Sequence, residues 1–158
     1  MPASAGGALG CANNTSIDHL GAAMKAETTV DGLRILPTKH SVAEILTRVE
    51  SLARARGIMV FSRIDFSGDA LRAGLTLRPT GLVILGNPKG GTPLMVATPT
   101  VAIDLPLKVL AWEDADGHTW VAYNEPEYIQ ARHQFPSELR KNIEAIVSLA
   151  VAAAADDT

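Results

Sequence analysis

Residues 41–64 read SVAEILTRVESLARARGIMVFSRI and carry the clearest secondary-structure signal in the chain. Ser41, followed three residues later by Glu44, is a capping box, in which each side chain binds a free backbone amide at the start of a helix. Gly57 is suited to the left-handed conformation that commonly ends a helix. The apolar residues between these two signals recur at the helical period and predict one buried face. They are Val42, Ile45, Leu46, Val49, Leu52 and Ala53.

Strands are predicted on both sides of this helix. Residues 58–64 are rich in β-forming side chains, and residues 32–36 form a short apolar segment that ends at Pro37. Farther along, residues 81–85 are continuously apolar, which is typical of a strand in the middle of a sheet. The order strand–helix–strand therefore begins the fold, and a central strand follows it.

The remaining segments complete an α+β pattern. Short helices are predicted at residues 65–73, 94–97 and 126–133, and a long helix at residues 137–154. Together they predict a mostly antiparallel sheet of four to five strands packed against helices. We expect residues 30–155 to form a single domain. Residues 1–29 are expected to be a mobile N-terminal extension, because their first half is too small and polar to form a core.

A β-hairpin is predicted over residues 107–123, because Asp116-Gly117 is a favoured two-residue turn. A turn of that length puts Glu113 opposite Trp120 and fixes the register of the whole hairpin. This register places four side chains on one face of the sheet: Leu110, Trp112, Val121 and Tyr123. Each face then carries one tryptophan, so neither is expected to be fully solvated.

Composition excludes several classes of protein. The chain has 158 residues and a net charge of −3, without the basic surface that nucleic-acid binding requires. Its most apolar stretch, residues 145–155, is too short to cross a membrane. Cys11 is the single cysteine, and residues 1–24 lack the basic and apolar regions of a secretory signal. We therefore expect a soluble cytoplasmic protein with no nucleic-acid or membrane partner.

The segment GNPKGGTPLM, residues 86–95, follows the central strand and suggests a phosphate-binding loop. Its spacing excludes a P-loop, because Gly90 follows Lys89 where Ser or Thr is required, and it excludes a dinucleotide fingerprint. Thr92 suits a helix N-cap and Pro93 the first helical position. Free amides at that helix start, together with Lys89, would attract a small anion. The alternative is that Thr92 binds those amides itself and Lys89 is solvated.

Candidate ligand-binding residues follow from this segment and from the predicted hairpin. They are Asn87, Lys89, Gly90, Gly91, Thr92 and Tyr123.

Two residues are candidates for acid–base catalysis. Glu113 is predicted to lie beside an indole, where burial favours the neutral form of a carboxylic acid. The alternative is that it pairs with an arginine or caps a neighbouring amide. His133 ends the helix at residues 126–133 and is a candidate proton carrier, although a basic residue there also complements the helix dipole. The four histidines have no metal-ligand spacing, and no nucleotide motif is present, so we expect neither a metal nor a cofactor.

Residues from about 33 to 134 resemble the domain-of-unknown-function family 302. The segments that carry the resemblance are residues 61–65, 77–80, 86–95, 104–109, 112–114, 123–124 and 132–133. The resemblance implies a β-α-β(4)-α fold similar to TATA-binding-protein-like domains, and it implies homodimers. It implies no activity. The chain departs from the family at Phe66, where members often have histidine, so no role for that histidine is transferred.

Three functions remain open from the sequence. The first is a domain that binds a small, anionic molecule at residues 86–93. The second is a metal-independent acid–base enzyme that uses Glu113 or His133. The third is a homodimeric interaction module.

Overall fold

The computed structural model describes residues 29–158, so the predicted N-terminal extension lies outside the described residues except for Thr29. The strands are β1 Leu33–Thr38, β2 Met59–Asp65, β3 Thr80–Gly86, β4 Leu107–Glu113 and β5 Thr119–Asn124. The α-helices are α1 Val42–Ala55, α2 Phe66–Arg72, α3 Pro88–Ala97, α4 Pro126–His133 and α5 Ala145–Ala154. Two 3₁₀ helices span Pro99–Ile103 and Ser137–Asn142.

The strands form a five-stranded sheet in the order β1-β5-β4-β3-β2. Every neighbouring pair is antiparallel. Helix α1 connects the two edge strands, β1 and β2, so the first two strands of the chain are the farthest apart in the sheet. The predicted α+β class with a mostly antiparallel sheet is confirmed.

Helix α1 begins as its sequence predicts. The backbone amide of Glu44 donates to Ser41 Oγ over 3.2 Å, and the amide of Ser41 donates to Glu44 Oε2 over 2.7 Å. Gly57 has a positive φ of 69° just beyond the helix. Ile45 and Val49 are fully buried against the sheet. The capping box thus fixes where α1 starts, and its apolar face fixes which side meets the sheet.

Helices α1 and α5 cover one face of the sheet, and the core lies between these layers. The predicted long helix at residues 137–154 is wrong in one respect, because a 3₁₀ helix and a break precede α5. The apolar spacing of this segment suits either helix type, so it did not reveal the break. In the structure Asn142 donates from Nδ2 to the carbonyl of Gly90 in α3 over 3.1 Å. In the described part of the chain, no helix has the length and apolar character to cross a membrane.

The predicted hairpin register is wrong by one residue. Glu113 lies opposite Thr119, and Trp112 lies opposite Trp120. The loop has three residues rather than two, because Gly117 adopts a positive φ of 81° beyond a tight turn closed on Asp114. One extra loop residue exchanges the two faces of a strand. Both tryptophans therefore lie on the same face of the sheet.

That face points away from α1 and α5, and we call it the open sheet face. Side chains alternate along each strand, so the residues between the buried Val83, Val109 and Val121 point outward. One cross-strand row on this face runs through all five strands in register. It consists of Ile64, Leu82, Leu110, Ala122 and Ile35. The open sheet face is therefore apolar across its whole width.

Candidate functional site

A cleft of about 180 Å³ lies beside α3, and we call it the α3 cavity. Its polar side chains are Asn87, Thr92 and Asn142. Its walls are otherwise apolar and come from β2, α3, the segment before β4, and the end of the second 3₁₀ helix. The apolar side chains include Phe61, Met95, Leu105, Pro106, Leu107 and Ile143. Small-molecule sites commonly combine such walls with a few polar groups.

Two glycines keep this cavity open. A Cβ atom on Gly91 would lie 3.7 Å from Leu105 Cδ1 and 3.8 Å from Met95 Cε. A Cβ on Gly86 would lie 3.5 Å from Pro106 Cβ. These are ordinary contact distances, so a side chain at either position would occupy the space rather than collide with its walls.

The N-cap of α3 lies five residues earlier than predicted, at Asn87 rather than Thr92. Asn87 Oδ1 accepts from the amide of Lys89, and the carbonyl of Asn87 accepts from the amides of Gly90 and Gly91, each over 2.9 Å. Pro88 at the first helical position has no amide to donate. The amides that were expected to hold an anion therefore already have partners within the chain.

The other predicted ligand residues are distributed unevenly. Asn87, Gly91 and Thr92 line the α3 cavity, whereas Lys89 is exposed outside it. Gly90 faces the second 3₁₀ helix. Tyr123 lies in the core under the helices, and burial raises the pKa of its phenol. Tyr123 is therefore removed from the candidate site.

The charged sequence neighbours of the lining residues are three lysines and two carboxylates, Asp104 and Glu144, and each carboxylate is paired with an arginine. Lys89 and Lys141 are sequence neighbours of lining residues, and Lys108 Nζ donates to the carbonyl of Pro106 over 3.0 Å. The nearby Glu144 is paired with Arg140 at 3.0 Å. Three lysines therefore lie next in sequence to residues of the cavity wall, and none of them lines the cavity itself.

A separate hydrogen-bonded chain surrounds His133. Its Nε2 atom lies 2.5 Å from Asp104 Oδ2, and its Nδ1 atom lies 3.0 Å from Thr100 Oγ1. Arg132 Nη1 also contacts both oxygens of Asp104 at 3.1 Å. Because the carboxylate accepts, Nε2 carries a proton, and in the neutral imidazole Nδ1 accepts from the threonine hydroxyl. The sequence pointed to His133 but did not reveal its partners.

Glu113 does not lie beside Trp120 as predicted. The corrected register puts it opposite Thr119, and it borders a shallow depression with Arg78 and Trp112. The indole contact from which an acid–base role was argued is therefore wrong. A depression beside Arg78 agrees better with the alternative of a carboxylate near an arginine.

The hairpin loop groups side chains that resemble a metal site. Ligand atoms of Asp114, Asp116 and His118 lie within 4.8 Å of one another. Asp114, however, accepts from Trp120 Nε1 over 2.8 Å and from the amides of Asp116 and His118 over 2.9 Å. These bonds hold the turn together, so we assign Asp114 a structural role.

The same bonds make the stability of the hairpin pH-dependent. The hydrogen bond from Trp120, followed by that from the His118 amide, lowers the pKa of Asp114 from 3.8 to about 2. A lowered folded-state pKa means that the ionised group stabilises the fold above about pH 4 and that this contribution disappears as the pH falls toward 2. We expect the difference in urea midpoint between wild type and Asp114→Asn to be constant at neutral pH and to shrink across that acidic window. A difference that is equally large at both ends would contradict this assignment.

Comparison with known proteins identifies the family. The family model described as "Domain of unknown function DUF302" matches residues 34–150. The chain belongs to the DUF302 family. A crystal structure of an uncharacterized conserved DUF302 protein from Bacillus stearothermophilus is similar, with a TM-score of 0.65 and 16% identity over 79% of this chain and 97% of that one. At that identity the likeness supports the fold alone.

Two curated relatives are more similar in sequence. A protein named fluoride-specific ion channel FluC 1 from Brucella suis biovar 1 (strain 1330) is 42% identical over 117 residues, which cover 74% of this chain and 46% of the relative. FluC 2 from Brucella melitensis biotype 1 (strain ATCC 23456) is also 42% identical over 117 residues, covering 43% of that protein. The chain thus spans less than half the length of the curated relatives it matches.

Several residues of the α3 cavity were missed from the sequence. Phe61, Met95, Leu105 and Asn142 come together only when four distant segments fold against one another. The one local signal was the glycine content of residues 86–91. It indicates that another segment packs closely against this backbone, but it does not indicate which segment. Asp104 and His133 belong to two segments on which the family resemblance rests, and the structure brings them into contact.

Proposed function

We propose that this DUF302 protein is a small-molecule-binding domain whose ligand occupies the α3 cavity. The observation that carries the proposal is an apolar cleft kept open by Gly86 and Gly91, with Asn87, Thr92 and Asn142 available for hydrogen bonds. Glycines in a strand end and in a helix cost stability, because alanine is preferred in both. Their presence is explained if the space they leave is used.

The size of the cavity limits the ligand. An engineered apolar cavity of about 150 Å³ is large enough to bind benzene. A cleft of about 180 Å³ therefore suits a ligand with one small ring or a short branched chain. Lys89, Lys108 and Lys141, each next in sequence to a wall residue, favour an acidic end group. We propose a small organic acid of about the size of benzoate as the ligand class.

The name of the Brucella relatives suggests a second anion, fluoride. Fluoride is compact and strongly hydrated, so binding requires several hydrogen-bond donors that replace its water. The first amides of α3 already donate to Asn87, and the cavity walls are largely apolar. An organic acid is therefore favoured over fluoride, and fluoride belongs in the test as a separate arm.

A thermal-shift experiment on the full chain tests the proposal. The probes are a set of small aromatic and branched carboxylic acids, the matching amides, and sodium fluoride. We expect acids to raise the melting temperature more than amides, and Lys89→Ala to weaken acid binding by about two- to five-fold, as for an exposed charge. The apo melting temperature should be nearly unchanged. Lys39→Ala is the control, since Lys39 pairs with Asp156 and lies outside the cavity.

Three outcomes would count against this account or against a part of it. If no acid and no amide raises the melting temperature, the binding proposal fails. If fluoride alone stabilises the protein, the ligand class is wrong, because the apolar walls then have no function. If acids bind equally well to wild type and Lys89→Ala, Lys89 is removed from the site.

A second candidate function is acid–base catalysis by His133. A hydroxyl bound to a histidine that is oriented by a carboxylate is the arrangement that activates nucleophiles in hydrolases, and Thr100, His133 and Asp104 have that connectivity. If this candidate holds, a panel of activated esters will be hydrolysed, and Thr100→Ala and His133→Gln will each abolish turnover while Glu113→Gln keeps it. If the wild-type protein hydrolyses none of these esters, the hydrogen bonds among Thr100, His133 and Asp104 have a structural role, in which they join the first 3₁₀ helix to α4.

Three further proposals follow from the sequence. We propose that residues 30–155 act as a single domain and that the protein is cytoplasmic, which its single cysteine supports. We also propose that it pairs with a second copy of itself. The apolar open sheet face supports this pairing.

A further inference from the structure

We propose that two copies of this chain pair through the open sheet face and the adjoining segment 66–79, which we call the α2 arm. This inference rests on the pairing proposed above and assigns it a surface. Other exposed apolar side chains of the described residues, such as Val96 and Ile103, lie elsewhere on the surface, whereas these two regions adjoin each other.

The open sheet face carries little charge. Its central row, from Ile64 on β2 to Ile35 on β1, is entirely apolar. The next row includes the pair Trp112 and Trp120. Among the outward residues of the five strands, Lys108 is the one with a charged side chain, and its Nζ is bound to the Pro106 carbonyl. A face of this composition has little affinity for water and little electrostatic barrier against a copy of itself.

The α2 arm carries four of the exposed large apolar side chains of the described chain. Helix α2 contains no buried residue, and Leu71 and Leu75 are 75% and 66% exposed. Leu77 lines one depression with Leu71 and Leu75 and another with Trp112 on the sheet. The arm and the open sheet face are therefore continuous through Leu77. Contact with a partner would give α2 the buried face that it lacks in one copy.

The available area agrees with a dimer that uses both regions. Five strands about 4.8 Å apart and six residues long at about 3.3 Å each give a footprint of roughly 400 Å² per copy. Two sheet faces alone would bury about 800 Å², which is below the roughly 1,200–2,000 Å² of stable protein interfaces. The leucines of the α2 arm supply additional area. A stable dimer of ordinary size therefore needs the α2 arm as well as the sheet face.

Symmetry also favours a second copy. In a two-fold dimer the same surface meets itself, so an apolar row crosses an apolar row. The row that contains Lys108 and the row that contains the two tryptophans lie on opposite sides of the central row. Leu110 is on the middle strand and in the central row, so it is the residue expected nearest to the two-fold axis.

Tryptophan fluorescence and sedimentation of the full chain test this surface. The chain has two tryptophans and both lie on the open sheet face, so their emission reports on it directly. We expect a dimer whose tryptophan emission moves to longer wavelength on dilution. Leu110→Lys should raise the dimer dissociation constant at least about 100-fold, because it buries two unpaired charges near the axis. Val96→Lys is the control, since Val96 is 78% exposed on α3.

Leu75→Lys provides a second variant that leaves the sheet intact. It should also raise the dimer dissociation constant. A monomer at all concentrations would overturn both the pairing and its surface. A dimer that neither Leu110→Lys nor Leu75→Lys weakens would overturn the surface while leaving the pairing in place. A dimer that Val96→Lys dissociates as strongly as Leu110→Lys would also overturn the assignment.

Discussion

Alanine substitutions at two adjacent glycines of α3 are expected to change stability in opposite directions. Gly91→Ala should raise the free energy of unfolding by about 0.5–1 kcal/mol, because alanine is the better helix former and its Cβ enters open space. Gly90→Ala gains the same helix propensity, but its Cβ would lie 2.9 Å from the carbonyl oxygen of Asn142. That oxygen belongs to the backbone and cannot rotate away.

The cost of Gly90→Ala is the displacement of the second 3₁₀ helix. The hydrogen bond from Asn142 Nδ2 to the Gly90 carbonyl fixes the distance between the two segments. Overpacking at such a contact costs about 1–3 kcal/mol, which exceeds the gain in helix propensity. We expect a net loss of roughly 1–2 kcal/mol. Urea denaturation of both variants in the absence of ligand measures the difference.

The same pair of variants separates stability from binding. Gly91→Ala should weaken binding of the organic acid although it stabilises the apo protein, because the added methyl group takes up part of the cavity. If Gly91→Ala destabilises the apo protein as much as Gly90→Ala, then the space beside Gly91 is not open. That result would remove the physical basis of the cavity.

The largest loss of stability is expected for Gly32→Ala. Gly32 has a positive φ of 74°, and a Cβ there would lie 2.0 Å from Cγ of Tyr128. The backbone conformation alone costs an alanine about 1–2 kcal/mol. Displacing the aromatic ring from its packing adds about 1–3 kcal/mol. The carbonyl of Gly32 also accepts from the amide of Glu125 over 2.8 Å, so the strain reaches the connection between β5 and α4.

Gly57→Ala is the matched control for this prediction. Gly57 has a similar φ of 69°, but no atom lies within 4 Å of its Cβ position. Gly57→Ala should lose only the conformational part, about 1–2 kcal/mol, whereas Gly32→Ala should lose about 2–5 kcal/mol. Urea denaturation of both variants gives the two values. Equal losses would mean that the Tyr128 ring moves aside without cost.

Local signals in the sequence were sufficient where a single segment determines its own structure. The capping box of Ser41 and Glu44 and the apolar face of α1 specify that helix completely, because both depend on spacing within seventeen residues. The hairpin failed for a related reason. A two-residue and a three-residue loop contain the same Asp-Gly pair, and the choice depends on bonds made by Asp114 to Trp120 and His118.

The start of α3 shows a competition between two valid caps. Both Asn87 and Thr92 precede a proline, and each pattern favours a helix N-terminus. The structure uses Asn87 and accepts Pro93 inside the helix. Contacts of Gly90 with the distant Asn142 accompany that choice, and no local rule includes them. The α3 cavity could not be predicted from the sequence for the same reason, because its walls come from segments more than eighty residues apart.

Methyl NMR of methionine-labelled protein tests the binding account most directly. Met95 lines the α3 cavity, whereas Met59 does not. On titration with an organic acid that raises the melting temperature, we expect the ε-methyl resonance of Met95 to shift to saturation while that of Met59 moves little. The Met95 shift should require higher acid concentrations in Gly91→Ala. A stabilising acid that leaves the Met95 resonance unchanged at saturation would contradict the account.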